Sequence, residues 1–178
     1  VGQLVFGGSP DVEVGNLSPM TLCLNLTNVT KAQLLKVNMR DVARRARAKY
    51  PLIPEVWGLS SVGKSQSCYF INHAGTRGLG QFDATDPVER TQAETLSRRQ
   101  ALQMTQAMRE FGGEELANIE LIGTGPQLGV RETRRVKGVY VLTEADAKTG
   151  QKFEDAIAWR SGFLDIGFVR YERMKIHD

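Results

Sequence analysis

With 178 residues the chain is near the size of one domain and can bury its own core without disulfide or metal staples. Its 41% hydrophobic and 24% charged residues exclude wholesale disorder, and no apolar run approaches the roughly 20 residues of a membrane span. A net charge of +3 carries no argument for a nucleic-acid or membrane partner, and two cysteines cannot build a disulfide framework.

Residues 1–19 are rich in Gly, Ser and Pro and read as a loose leading segment, with a single domain over 20–178. The sequence starts at Val1 and ends at Asp178 just after strand-like residues, so a piece of a longer protein is expected. Residues 20–28 set Leu22, Leu24 and Leu26 at alternate positions, the pattern of a half-buried strand. Thr30 with Gln33 is a capping box. It opens a predicted helix that places Leu35, Met39, Val42 and Ala46 on one face and stops before Pro51. The opposite face carries Arg40, Arg44, Arg45, Arg47 and Lys49. It reads as a solvated face because no aromatic stacking set accompanies it.

Residues 51–66 read mostly as loop and 67–74 as a second strand. Asp86-Pro87-Val88-Glu89 is a helix start with an acidic cap and proline in first position. The helix runs to about Glu110 with Ala93, Ala101, Met104, Met108 and Phe111 on one face, Arg98 and Arg109 exposed, and Gly112-Gly113 as its stop. Strands are predicted at 119–124, 136–142 and 153–160, with another possible at 165–172, and a helical turn between Thr143 and Gly150. This order has no regular βαβ rhythm. The expected class is α+β, a mixed β-sheet with helices packed on one face.

Gly58-Leu-Ser-Ser-Val-Gly63-Lys64-Ser65 fits the P-loop template, which needs a strand before it and a helix beginning at the lysine. Pro51 and Pro54 spoil the strand and the downstream residues are strand-like, so a serine-rich surface loop is expected. Gly123-Thr-Gly125-Pro126-Gln127-Leu-Gly129 is one residue too long for a dinucleotide fingerprint and leads toward a strand. Cys23 and Cys68 are expected as small buried thiols. Only His73 and His177 are present and no Cys-x-x-Cys occurs, so no metal site is expected.

The candidate binding residues are Gln127, Arg131, Arg134 and Arg135, in the densest polar stretch of the chain. Arginine forks suit planar carboxylate or phosphate groups. His73, beside the loop Gly75-Thr76-Arg77-Gly78, is the one catalytic candidate.

The blocks Gly125-Pro-Gln-Leu-Gly-Val-Arg-Glu-Thr-Arg-Arg135, Gly138-Val-Tyr-Val-Leu-Thr143 and Phe153-Glu-Asp-Ala-Ile157 resemble a stretch in bacterial FAD-dependent oxidoreductases, some of them labelled xanthan lyase-like. Thr76-Arg77, Asp86-Pro87 and Ala93 through Gln100 are similar to the same family, and the resemblance covers roughly 20–30 and 66–178. It implies a middle segment: a substrate-side domain inserted between the FAD-domain parts, within a glutathione-reductase and hydroxybenzoate-hydroxylase-like architecture. It also implies hydride transfer between a small-molecule substrate and FAD in the intact parent, with no FAD expected on this piece alone. The partners would be the missing FAD-binding segments, and Arg131, Arg134 or Arg135 would meet anionic groups of substrate or flavin. A cytoplasmic location is expected. The rival readings are a P-loop nucleotide-binding domain and a non-catalytic interaction module.

Overall fold

The computed structural model describes residues 6–8, 18–131, 134–136, 139–158, 163–164 and 174–175. They form two compact units, Pro19–Arg131 and a second drawn from Val1–Ser18 and Glu132–Asp178. In chain order the elements are β1 (Phe6–Gly8), β2 (Thr21–Thr27), α1 (Lys31–Lys36), α2 (Met39–Ala46), β3 (Ser60–Ser61), β4 (Tyr69–Gly75) and α3 (Pro87–Phe111). A 3-10 turn (Glu114–Leu116), β5 (Glu120–Thr124), β6 (Arg134–Val136), α4 (Glu144–Thr149), β7 (Phe163–Leu164) and β8 (Met174–Lys175) follow.

The unit Pro19–Arg131 is built on a sheet of order β3-β4-β2-β5. The α+β class is as expected. Every pairing in this sheet is antiparallel, however, where a mixed sheet was anticipated. Leu22, Leu24 and Leu26 of β2 are fully buried and alternate with exposed Cys23 and Asn25. One face therefore carries the core, and each of those leucines contributes about 1.5–3 kcal/mol of burial. The same alternation corrects the expectation for Cys23: it falls on the open face, and Cys68 is half-buried.

Helix α3 packs on the sheet because Ala93, Ala101, Met104 and Met108 follow a helical spacing and are fully buried. Asp86 accepts from the N–H groups of Val88 and Glu89, and Pro87 begins the helix, as the sequence predicts. Arg109 is exposed, but Arg98 is half-buried, with its guanidinium donating to Thr124 Oγ1 at the end of β5. Gln100 is fully buried and acts as a polar staple. Its Oε1 accepts from Gly75 N at 2.8 Å and its Nε2 donates to Leu52 O at 2.6 Å.

The single helix expected after Thr30 is two. The capping box opens α1, but Asn38 is extended and its side chain accepts from Arg40 N and Asp41 N, so a new helix starts there. Leu35 is consequently exposed rather than part of the buried face. In α2, Val42, Ala43 and Ala46 are buried and the helix packs on α3. Most of its basic face is paired: Arg44 and Arg45 with Asp41, Arg47 with Glu55, and the following Lys49 with Glu110.

In the other unit β1 pairs antiparallel with β6, and β7 with β8. The strand expected over 136–142 is not found at Val139–Leu142, which are exposed coil and bend. Tyr140 instead donates to the Asp146 carboxylate, which is occupied in the capping box that starts α4 at Thr143. Nor is there a strand at 153–158, where Ala156 N donates to Phe153 O in a turn. Residues 165–172 lie outside the described residues.

Met108→Asp places an unpaired carboxylate in the fully buried helix face and should cost about 3–5 kcal/mol. Leu102→Asp, on the exposed side of the same helix, should cost within about 0.5 kcal/mol. Urea titrations of both variants check the pair, and equal losses would show that the helix face is wrongly assigned.

Candidate functional site

The polar pocket of the Pro19–Arg131 unit forms where β2 begins and β4 ends. Between Leu22 and Leu24 on β2 lies one residue, Cys23; between their partners Ala74 and Ile71 on β4 lie two, Asn72 and His73. This is a β-bulge, and it breaks the inside–outside alternation of β4. Asn72 and His73 are both exposed, flanked by buried Ile71 and Ala74. In a regular strand one of the two would point into the core.

The chain next makes a close crossing at Gly75, whose φ is +136°. A Cβ there would stand 2.0 Å from Met20 O, so only glycine fits. Thr76 then locks onto the neighbouring backbone in both directions. Its N–H donates to Met20 O at 3.0 Å, and its Oγ1 accepts from Met20 N at 3.0 Å. Arg77 follows at the rim. On the other side of β2, Thr21 N donates to Gly129 O at 3.1 Å and Gly129 N donates to Thr21 O at 2.7 Å. That bridge carries Arg131 to the same place. Arg98 steadies the turn leading into it, bonding Thr124 Oγ1 and the carbonyls of Gly125 and Pro126.

The result is a pocket of about 270 Å³ lined by Thr21, Asn72, His73, Arg77 and Arg131, with Met20 at its floor. No acidic side chain is among the described residues that line it. Partial burial holds the His73 imidazole below its ordinary pKa, and the Arg77 charge adds to that effect. A neutral imidazole beside two guanidinium groups can bind and orient a small anion and can accept or donate one hydrogen bond.

Of the predicted site residues, the structure brings His73 and Arg131 together. Gln127 is exposed and is not a lining residue. Arg134 and Arg135 belong to the other unit, where their backbone pairs with Gly8 and Gly7. Arg77 and Asn72 were not picked out as site residues from the sequence. The glycine run Gly75-Thr76-Arg77-Gly78 reads as a loop in the sequence, but the bulge carries no sequence signature of its own.

The P-loop lookalike is a hairpin. Ser60–Ser61 pairs antiparallel with β4, Gly63 turns at φ +56°, and Ser65 Oγ accepts from Ser67 N and Cys68 N. No helix begins at Lys64. Among the described residues no three His, Cys, Asp or Glu side chains come together as metal ligands. Nor is any described helix long and apolar enough to cross a membrane.

The Pro19–Arg131 unit is thus an α+β fold with an arginine- and histidine-lined pocket at a bulged strand end. The family model described as FAD dependent oxidoreductase matches residues 5–172, and the chain belongs to that family. No curated protein and no solved structure matches it. The family implies FAD, and the described residues do not fit its pyrophosphate. The Gly123–Gly129 run leads into the bridge with Thr21 rather than into a helix. The start of α3 is filled by its own Asp86 carboxylate, and the start of α2 by Asn38. The backbone N–H groups that would cradle phosphates are thus already engaged, at α3 by a like charge.

Two measurements test this geometry. His73 should titrate below a free imidazole in NMR, and Arg77→Ala should move its midpoint up toward the ordinary value of about 6.5. A histidine depressed in the folded state contributes stability that is complete above its unfolded pKa and is lost as pH falls through the folded one. Wild-type stability should therefore drop below about pH 6.5, and less so in His73→Asn. Separately, calorimetric titration with magnesium ATP should give no heat that Lys64→Ala abolishes; such a signal would reinstate the P-loop.

Proposed function

We propose that this chain is the middle, substrate-side segment of an FAD-dependent oxidoreductase, of the kind carried by the xanthan lyase-like members it resembles. The observation that carries the reading is the match over residues 5–172 in a chain that offers a cationic pocket but, among its described residues, no pyrophosphate cradle. The flavin would supply the redox chemistry and would be held by segments of the same polypeptide outside this sequence.

What this chain's own residues contribute is binding and orientation. Arg77 and Arg131 attract and align an anionic group of the substrate, and His73 sits beside it as a neutral hydrogen-bonding group. The clamps at Met20 and Thr21 keep these side chains at a fixed spacing. Arg134 and Arg135, in the other unit, are proposed to meet anionic groups of substrate or flavin.

The 178-residue chain should purify colourless and a longer parent polypeptide yellow, read from the flavin band in absorbance. In that parent, Arg131→Ala should lower substrate affinity about ten- to a hundredfold with flavin content unchanged, as loss of a charge-assisted contact does. Stoichiometric flavin on the 178-residue chain would overturn this division of labour. Full turnover and flavin content in the single alanine variants of Arg131, Arg134 and Arg135 would overturn the site assignment.

A further inference from the structure

The pocket at the bulge has a feature that selects among anions. Phosphate sites are commonly lined by free backbone N–H groups at a helix start or a glycine nest. Here three backbone donors at the strand ends, those of Met20, Thr21 and Thr76, are engaged within the fold. Met20 N donates to Thr76 Oγ1, Thr76 N to Met20 O, and Thr21 N to Gly129 O. The residues lining the pocket bring side-chain chemistry to it: two arginines, Arg77 and Arg131, with His73 and Asn72. Guanidinium forks match the two coplanar oxygens of a carboxylate in a bidentate pair. A pocket of about 270 Å³ has room for a small organic acid.

We propose that this pocket is a carboxylate subsite, in which Arg77 and Arg131 hold the acid group of a small organic substrate while Asn72 and His73 fix its orientation. The proposal rests on reading the chain as the substrate side of the oxidoreductase. It assigns a class of substrate, an organic acid whose carboxylate is bound and not transformed. Three independent long-range contacts build the site: the bulge opposite Cys23, the Thr76–Met20 clamp and the Gly129–Thr21 bridge. Thr76 is a positioning residue, since its side chain touches the backbone of Met20 and not the ligand.

The test uses the 178-residue chain and sodium acetate as probe. The sequence has two histidines, so the imidazole region of the NMR spectrum is simple, and His73→Asn identifies the relevant signal. Acetate should shift the His73 signal saturably and raise its titration midpoint, since a bound anion favours the imidazolium. Sodium chloride at equal ionic strength should do neither. Arg131→Ala should weaken acetate about ten- to a hundredfold, and Arg131→Lys should restore only part of the loss. Arg90→Ala, on the first turns of α3, should bind acetate as wild type does. Circular dichroism of each variant confirms that it is folded. If Arg131→Ala fails to fold, Arg77→Ala carries the same comparison.

Three results would overturn the subsite. These are no saturable shift with acetate, an equal response to chloride, or tighter and competitive binding of inorganic phosphate. The flavin content of the parent is measured separately and decides the reading on which the substrate class rests. Acetate binding in a protein whose parent carries no flavin would leave the subsite and remove its redox role.

Discussion

Met20 and Thr21 engage both of their N–H groups and both of their carbonyls with residues far along the chain. On one side is Thr76, 56 positions from Met20; on the other is Gly129. The close approach at Gly75 is possible only because that residue lacks a Cβ. Hydrogen bonds of this kind are worth about 1 kcal/mol each in net stability. Their larger effect is geometric. They fix the backbone from which His73, Arg77 and Arg131 project, so three cationic or titratable side chains share a rim that none of their own segments could define.

The core supports this arrangement from beneath. Gln100, on the buried face of α3, accepts from the N–H of Gly75 and donates to Leu52. The helix therefore holds the crossing that shapes the pocket as well as the loop after α2. A buried amide with both ends satisfied is a specific constraint; losing one partner would leave a desolvated donor or acceptor at a cost of about 1–3 kcal/mol. Stability and the geometry of the strand end that carries His73 meet at this one side chain.

Features set by local chemistry were legible in the sequence. The Leu22–Leu24–Leu26 alternation, the Asp86-Pro87 helix start, the Met104/Met108 face and the Thr143 cap each follow from residues within a few positions of one another. The failures share a cause of another kind. Asn38 can continue a helix or cap a new one, and here its side chain caps α2, which packs on α3. Val139–Leu142 has strand composition, but strand formation needs a partner, and Tyr140 is drawn into the start of α4. The bulge at Asn72–His73 depends on the register with β2, which no window along β4 contains. For that reason His73 and Arg131 could be nominated separately, while Asn72 and Arg77 could not, and Arg134 and Arg135 could not be told apart from Arg131 before the two units were distinguished.

The bridge between Thr21 and Gly129 has a topological meaning as well. The unit Pro19–Arg131 is one continuous run of chain that leaves and returns through neighbouring strands, tied together by a reciprocal pair of hydrogen bonds. Such a run is a cassette. Closing a short gap between adjacent ends costs little chain entropy, so the segment has the geometry of a module that can be excised, circularly permuted or exchanged between hosts without unravelling its sheet. The pocket lies beside that pair of ends, so its lining residues His73, Arg77 and Arg131 would travel with the cassette.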